Sequence, residues 1–211
     1  MKAAFFDAYG TLFDVHAAVR RHASAIGPAG EALSATWRDK QLEYSWVHAL
    51  MEDYVPFEEL TRRALRTALA THGVGADREV ALMDAYRTLD AYPEVAEHLA
   101  ALKAAGTVTG ILSNGSPAML AAAVEAARIE AHLDHVLSVD AVGTFKTDPR
   151  TYAMITDATG LAPGDVTFHS SNRWDIAGAM KFGFETVWVN RTGRPDEYPD
   201  QPPAQVVERL G

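Results

Sequence analysis

Ala3-Ala4-Phe5-Phe6-Asp7-Ala8-Tyr9-Gly10-Thr11-Leu12-Phe13-Asp14 opens the chain with an apolar run that delivers one carboxylate, Asp7, to a Gly-Thr turn. A short apolar run closed by a turn reads as a buried strand. In doubly wound sheets ligands bind beyond the carboxyl ends of the strands, so an acid followed by a tight turn and a small hydroxyl is placed to bind or react. Residue type alone permits a plainer role, because Asp also serves as a helix cap or turn carboxylate.

Further β-type runs lie at 108–112, 135–139, 166–169 and 186–189, each ending in polar or turn residues. Ala- and Leu-rich stretches with helical spacing at 94–105, 117–127, 149–160 and 175–182 separate them. This alternation predicts an α/β fold, a doubly wound, Rossmann-like parallel sheet. Residues 15–92 break the pattern and read as several helices, interrupted near Gly27-Pro28, Pro56 and Gly73-Val74-Gly75. The expected organisation is a core of 1–14 and 93–211 with a helical cap of 15–92, and Pro93 marks the return. Hung over the strand ends, such a cap closes a site and excludes water. The Pro-rich stretch 192–203 reads as a surface loop before a last short helix.

With 211 residues, 48% of them hydrophobic, the chain buries a full core. Nineteen basic residues against twenty-eight acidic ones, without a basic stripe, argue against nucleic acid or an anionic membrane as partner and favour a small molecule. The sequence contains no cysteine, so a thiolate nucleophile is excluded. No apolar run approaches the roughly 20 residues that span a bilayer, and no charged n-region with a long h-region opens the chain, so a soluble cytoplasmic protein is expected. The eight histidines show no metal-ligand spacing, and no dinucleotide or P-loop signature is present.

Four later stretches join Asp7 as candidates. Ser113-Asn114-Gly115 ends the second apolar run, and its small polar groups and backbone N–H groups suit an anion ahead of a helix opened by Pro117. Lys146 precedes Thr147 and the helix start at Asp148-Pro149; a cation near Asp7 keeps that carboxylate ionised. The fourth stretch is Phe168-His169-Ser170-Ser171-Asn172-Arg173-Trp174-Asp175. The last, Thr36-Trp37-Arg38-Asp39-Lys40-Gln41-Leu42-Glu43-Tyr44-Ser45-Trp46, reads as an amphipathic helix packing through Trp37, Gln41, Tyr44 and Val47 or Trp46.

In this order the five stretches resemble the motifs of the haloacid dehalogenase superfamily, over nearly the whole chain from Asp7 to Asn190-Arg191. Most members place a second Asp two positions after the nucleophile and a magnesium-binding Asp in the fourth motif; here those positions are Tyr9 and Ser171. The usual Pro after the motif Lys is Thr147. The Ser-Ser-Asn-x-Trp-Asp pattern and the Arg38 helix are similar instead to the (S)-2-haloacid dehalogenases.

That resemblance implies hydrolysis of a short (S)-2-haloalkanoate to an (R)-2-hydroxy acid through an ester on Asp7, with no cofactor and no metal. Arg38 and Asn114 would cradle the halide beside Trp174, and Ser113 would hold the substrate carboxylate. Lys146 and Ser170 would orient Asp7, Thr11 would support it, and Asn172 and Asp175 would handle the hydrolytic water, with Tyr152 in the same polar network. Tyr9, Leu42 and Trp174 would wall the alkyl group. The partners implied are the 2-haloacid and water, and a second copy of the chain as a homodimer. Two other readings stand beside this one: a magnesium-dependent phosphatase of the same superfamily, and a silent binding protein on the fold.

Overall fold

The computed structural model describes residues 2–211. Six strands, β1 (Ala3–Phe6), β2 (Val108–Ser113), β3 (His135–Ser138), β4 (Val166–Ser170), β5 (Glu185–Val189) and β6 (Gln205–Val207), form one parallel sheet in the order β3-β2-β1-β4-β5-β6. The fold is therefore the expected α/β class. Every residue of β1 is buried, which explains its unbroken apolar run. Gly110 on β2 is required by the neighbouring strand, since a Cβ there would stand 2.4 Å from the Phe5 ring.

Winding reverses at β1, with β2 and β3 on one side and β4 to β6 on the other. The crevice beyond the ends of β1 and β4 is thus the topological switch point, where such sheets hold ligands. Asp7 leaves β1 there, next to Ser170 at the end of β4 and Ser113 at the end of β2.

Between β1 and β2 run helices α1 (Ala17–Arg21), α2 (Ala23–Ile26), α3 (Gly30–Leu50), α4 (Phe57–Thr71) and α5 (Glu79–Arg87), with α6 (Val95–Ala104) leading back into the sheet. Helix α3 is held on α4 by polar as well as apolar contacts: Trp37 Nε1 donates to the Thr61 carbonyl at 2.9 Å and Gln41 Nε2 to Thr61 Oγ1 at 2.8 Å. The outgoing and returning segments of this insertion pair with each other. Tyr92 N donates to Leu12 O and Asp14 N to Asp90 O, both at 2.9 Å.

The crossovers of the second half are α7 (Pro117–Ala127), α8 (Pro149–Thr159) and α9 (Arg173–Phe182). Proline at the first turn and a side-chain cap, Ser116 for α7 and Asp148 for α8, set their starts just past the strand ends.

The structure departs from the expected elements chiefly in the tail and on α3, with smaller shifts at element ends. The tail ends in strand β6 rather than a short helix, because the β-branched Val206-Val207 pairs with the free edge of β5 and supplies it with backbone partners. Buried Arg173 ties down the loop before it, donating to the carbonyls of Tyr198 and Gln201 at 2.6 Å. Helix α9 starts two residues earlier than its periodicity suggested, at Arg173, and β3 stops at Ser138. On α3, Val47 is exposed and Trp46 sets its ring edge-on to Trp174, with centroids 5.5 Å apart, instead of packing on α4, which covers the Trp37-Gln41 face. Among the described residues no helix is long and apolar enough to cross a membrane.

His169 of β4 is buried, with its ring stacked on Phe6 at 4.4 Å and Nδ1 bonded to the Phe5 carbonyl at 3.3 Å. Burial pushes its imidazole down to about 4, and the nearby His98 adds to the shift while the Phe5 carbonyl opposes it. Between pH 6.5 and about 4 the unfolded chain therefore binds a proton that the folded chain refuses. Stability is expected to fall by up to about 3 kcal/mol as pH drops through that window. Urea unfolding at pH 7 and pH 4.5 measures the loss, and His169→Phe should remove most of it; an equal loss in the variant would clear His169 of responsibility.

Candidate active site

The residues at the switch point form one connected network around Asp7. Its Oδ1 receives the Lys146 ammonium at 3.1 Å, and its Oδ2 receives Asn172 Nδ2 at 2.8 Å and Thr11 Oγ1 at 3.1 Å. The backbone N–H of Asp7 donates to the His169 carbonyl at 2.9 Å, continuing the β1–β4 ladder. Glycine at position 10 adopts φ 94°, where a side chain would be strained, and turns the chain so that Thr11 faces back toward Asp7.

Lys146 is fully buried and bridges two acids, reaching Asp175 Oδ2 at 2.9 Å as well as Asp7. Burial alone would lower its pKa, but the Asp175 and Asp7 carboxylates outweigh that and hold the ammonium above its ordinary value. Burial raises the Asp175 carboxyl, aided by the charge of Asp7 and opposed by Lys146. Tyr152 donates to Asp175 Oδ1 at 2.8 Å and stays protonated, because burial and then the charge of Asp175 push its phenol well up. Asp175 occupies the first turn of α9, which Tyr152 of α8 meets across Gly178. A Cβ at that glycine would stand 2.4 Å from the Tyr152 hydroxyl.

The insertion contributes Arg38. Its Nη2 donates to the Tyr9 carbonyl at 3.2 Å and to Asn172 Oδ1 at 3.3 Å, while Nη1 donates to Gln41 Oε1 at 3.2 Å. Asp7, Tyr9, Arg38, Leu42, Phe57, Ser113, Asn114 and Trp174 line one small recess. The Tyr9 phenol stays protonated there: burial, then the charges of Tyr86 and Asp7, push it well up.

All the sequence candidates thus lie at or beside one recess, though not all touch Asp7. The Ser170 hydroxyl accepts from Asn172 N at 3.1 Å, placing it one step from the nucleophile candidate. The Ser113 hydroxyl accepts from Gly115 N at 3.1 Å, and Asn114 Oδ1 from Lys146 N at 3.0 Å, so Asn114 also sets the Lys146 loop. Three neighbours escaped the sequence reading as site residues: Phe57, Gln41 and Tyr86. Gln41 is legible in retrospect, three residues after Arg38 on the same helix face. Phe57 and Tyr86, whose hydroxyl donates to Gln41 at 3.2 Å, carry no local signal.

Among the described residues no three Asp, Glu or His side chains converge as a metal ligand set. Asp7 and Asp175 are both bonded to Lys146, and Tyr9 and Ser171 stand where a further carboxylate ligand for Mg²⁺ would be needed.

A strand-end carboxylate, a buried lysine and an arginine carried by an inserted helix define a hydrolase of the haloacid dehalogenase type. The sequence pattern of the haloacid dehalogenase-like hydrolases matches residues 1–183, and the chain belongs to that family. It is 48% identical over its whole length to (S)-2-haloacid dehalogenase 4A of Burkholderia cepacia, covering 92% of that protein. It is 44% identical to the (S)-2-haloacid dehalogenase of Pseudomonas sp. strain YL, covering 91%. The fold also superposes, with a TM-score of 0.92 at 38% identity, on L-2-haloacid dehalogenase from Xanthobacter autotrophicus with chloropropionic acid covalently bound, spanning all of this chain and 96% of that one.

Removing the bridging cation leaves two buried carboxylates facing each other. Lys146→Met is therefore expected to lose about 3–5 kcal/mol of stability, and Lys146→Met combined with Asp175→Asn to recover part of it. Urea unfolding of the three proteins decides; a loss below about 1 kcal/mol in the single variant would mean that the charges are not coupled.

Proposed function

We propose that the protein hydrolyses short (S)-2-haloalkanoic acids to (R)-2-hydroxy acids through an aspartyl ester on Asp7. The observation that carries this reading is the asymmetric environment of the Asp7 carboxylate. Two donors hold Oδ2 and one holds Oδ1, and the residue lines a recess that Arg38 also lines.

In the first step Oδ1 attacks C2 on the side opposite the halogen. The C–O bond forms as the C–halogen bond breaks, the bonding pair leaves with the halide, and C2 inverts. Arg38 and Asn114 meet the charge that develops on the halogen, with the edge of Trp174 beside them. Ser113 and the adjacent backbone amides hold the substrate carboxylate, while Leu42, Phe57 and the Tyr9 ring wall the alkyl group.

In the second step water attacks Cγ of the Asp7 ester. The Thr11 and Asn172 donors already on Oδ2 receive the charge of the tetrahedral intermediate. Asp175, raised by burial, takes the proton of the attacking water. Collapse breaks the Cγ–Oδ1 ester bond: the departing alkoxide takes that proton from Asp175 and leaves as the hydroxy acid, and loss of the water's second proton from Asp7 to solvent returns the carboxylate. Ser170 and Tyr152 hold Asn172 and Asp175 in place throughout.

The protein acts as a homodimer in this reading. The end of α3 supports it, because Trp46, Val47, Leu50 and Met51 are exposed together, Leu50 to 86%. Light scattering should give twice the 22.9 kDa of the chain, and Leu50→Glu the single mass; a monomeric wild type would refute the dimer.

The chemistry is tested with (S)- and (R)-2-chloropropionate in EDTA. Halide release is expected from the (S) form alone and is expected to vanish in Asp7→Asn. In a single turnover in heavy-oxygen water the label should enter Asp7 and not the product. Label appearing first in the hydroxy acid would replace the ester with direct attack by water.

A further inference from the structure

Arg191, just beyond the end of β5, lies outside the recess yet touches the Asp7 turn and the segment returning from the helical insertion. Its Nη2 donates to the Thr11 carbonyl at 2.8 Å, and Nη1 pairs with Glu94 at 2.6 Å. Its guanidinium lies 3.7 Å from the Tyr92 ring centroid. Thr11 in turn gives its hydroxyl proton to Asp7 Oδ2 at 3.1 Å and accepts the backbone N–H of Ser171 at 2.8 Å. Tyr92 and Glu94 belong to the segment returning from the helical insertion, which pairs with the outgoing one through Tyr92 N and Leu12 O. One largely buried side chain therefore joins the β5 end, the Asp7 turn and the re-entry of the insertion.

We infer that Arg191 is a positioning residue that sets the Asp7 nucleophile through Thr11 and locks that turn to the base of the helical insertion. The inference rests on the Asp7 reaction proposed above. Geometry selects arginine over lysine: one group must donate to a carbonyl and to a carboxylate in different directions while stacking flat on an aromatic ring, which a planar fork does and a single ammonium does not. The contact is made to a backbone carbonyl, so the turn rather than the threonine side chain is what Arg191 fixes. If the turn shifts, the Thr11 hydroxyl leaves Oδ2, and the carboxylate loses the orientation required for in-line attack. A misplacement of about 1 Å at a reacting group costs on the order of 100-fold in rate.

The experiment compares wild type, Arg191→Lys, Arg191→Ala, Thr11→Val and the double variant Arg191→Lys/Thr11→Val with (S)-2-chloropropionate. Wild-type halide release and labelling of Asp7 first establish the parent reaction. Failure there defeats the function, whereas normal wild-type behaviour confines any later failure to Arg191. Arg191→Lys should lower kcat about 100-fold with KM within about twofold, since the recess residues themselves are untouched. The double variant should be little worse than the poorer single variant, because both act on one link. Added guanidinium should restore turnover to Arg191→Ala and leave Thr11→Val unchanged, a response that loss of folding alone would not give. Near-normal kcat in Arg191→Lys, or multiplicative losses in the double variant, would overturn the assignment. If Arg191→Ala does not fold, the Arg191→Lys kcat and the double variant decide alone.

Discussion

A single buried ammonium organises this structure. Lys146 stands between Asp7 and Asp175, within 3.1 and 2.9 Å, and is itself sealed from solvent. Either acid without it would be a buried, uncompensated charge, and the lysine without both would be driven toward neutrality. The three come from the ends of β1, the loop before α8 and the first turn of α9. Satisfying them therefore fixes how those elements approach one another. Stability and chemistry share this constraint, because the carboxylate that must stay ionised to react is the one whose charge holds the crevice together.

The same network explains why the insertion belongs to the site. The sheet supplies the nucleophile candidate and its donors, yet the cation it brings there, Lys146, is already committed to two acids. Arg38 arrives from α3 and bonds to the Tyr9 carbonyl and Asn172 Oδ1, groups that flank Asp7. Gln41 steers it, and Gln41 is in turn bonded to Thr61 of α4 and to Tyr86 of α5. A second positive end of the recess thus depends on how three helices pack.

Much of this is legible in the amino-acid sequence itself. The β1 run and the strand-end positions of Asp7 and Ser113 follow from short-range pattern, because parallel strands buried on both faces write continuous apolar runs and their ends write small polar ones, whereas Arg38 and Ser170 are marked as site residues by the resemblance to the (S)-2-haloacid dehalogenases. What stayed hidden depends on long-range packing. Strand β6 is three residues long, and only the free edge of β5 makes it a strand. Trp46 looks like a core aromatic in the helical pattern, but which side of α3 meets α4 is decided by Thr61, far away in sequence. Phe57 and Tyr86 reach the site or its support solely because the helices fold back over the strand ends. Likewise the roles of Ser113 and Ser170 hydroxyls, turned toward backbone N–H groups, could not be read from residue type.

Charge flow through the proposed reaction gives these placements their logic. Before attack the negative charge resides on Asp7, beside Lys146; afterwards Asp7 is a neutral ester and the charge has moved to the departing halide. At an effective dielectric of about 20, an ion pair at 4 Å is worth about 4 kcal/mol, so a site with one cation would favour the starting arrangement and oppose its own reaction. Asp175 removes that bias. Once Asp7 becomes neutral, Lys146 retains a full counter-ion at 2.9 Å and does not demand the charge back. Arg38, bonded in the resting site only to neutral acceptors, the Tyr9 carbonyl, Asn172 and Gln41, is free of carboxylate competition and offers the migrating charge a partner. The second acid at one end and the unpaired guanidinium at the other are therefore two halves of one device, and a change that paired Arg38 with a carboxylate would disable it while leaving every residue around Asp7 in place.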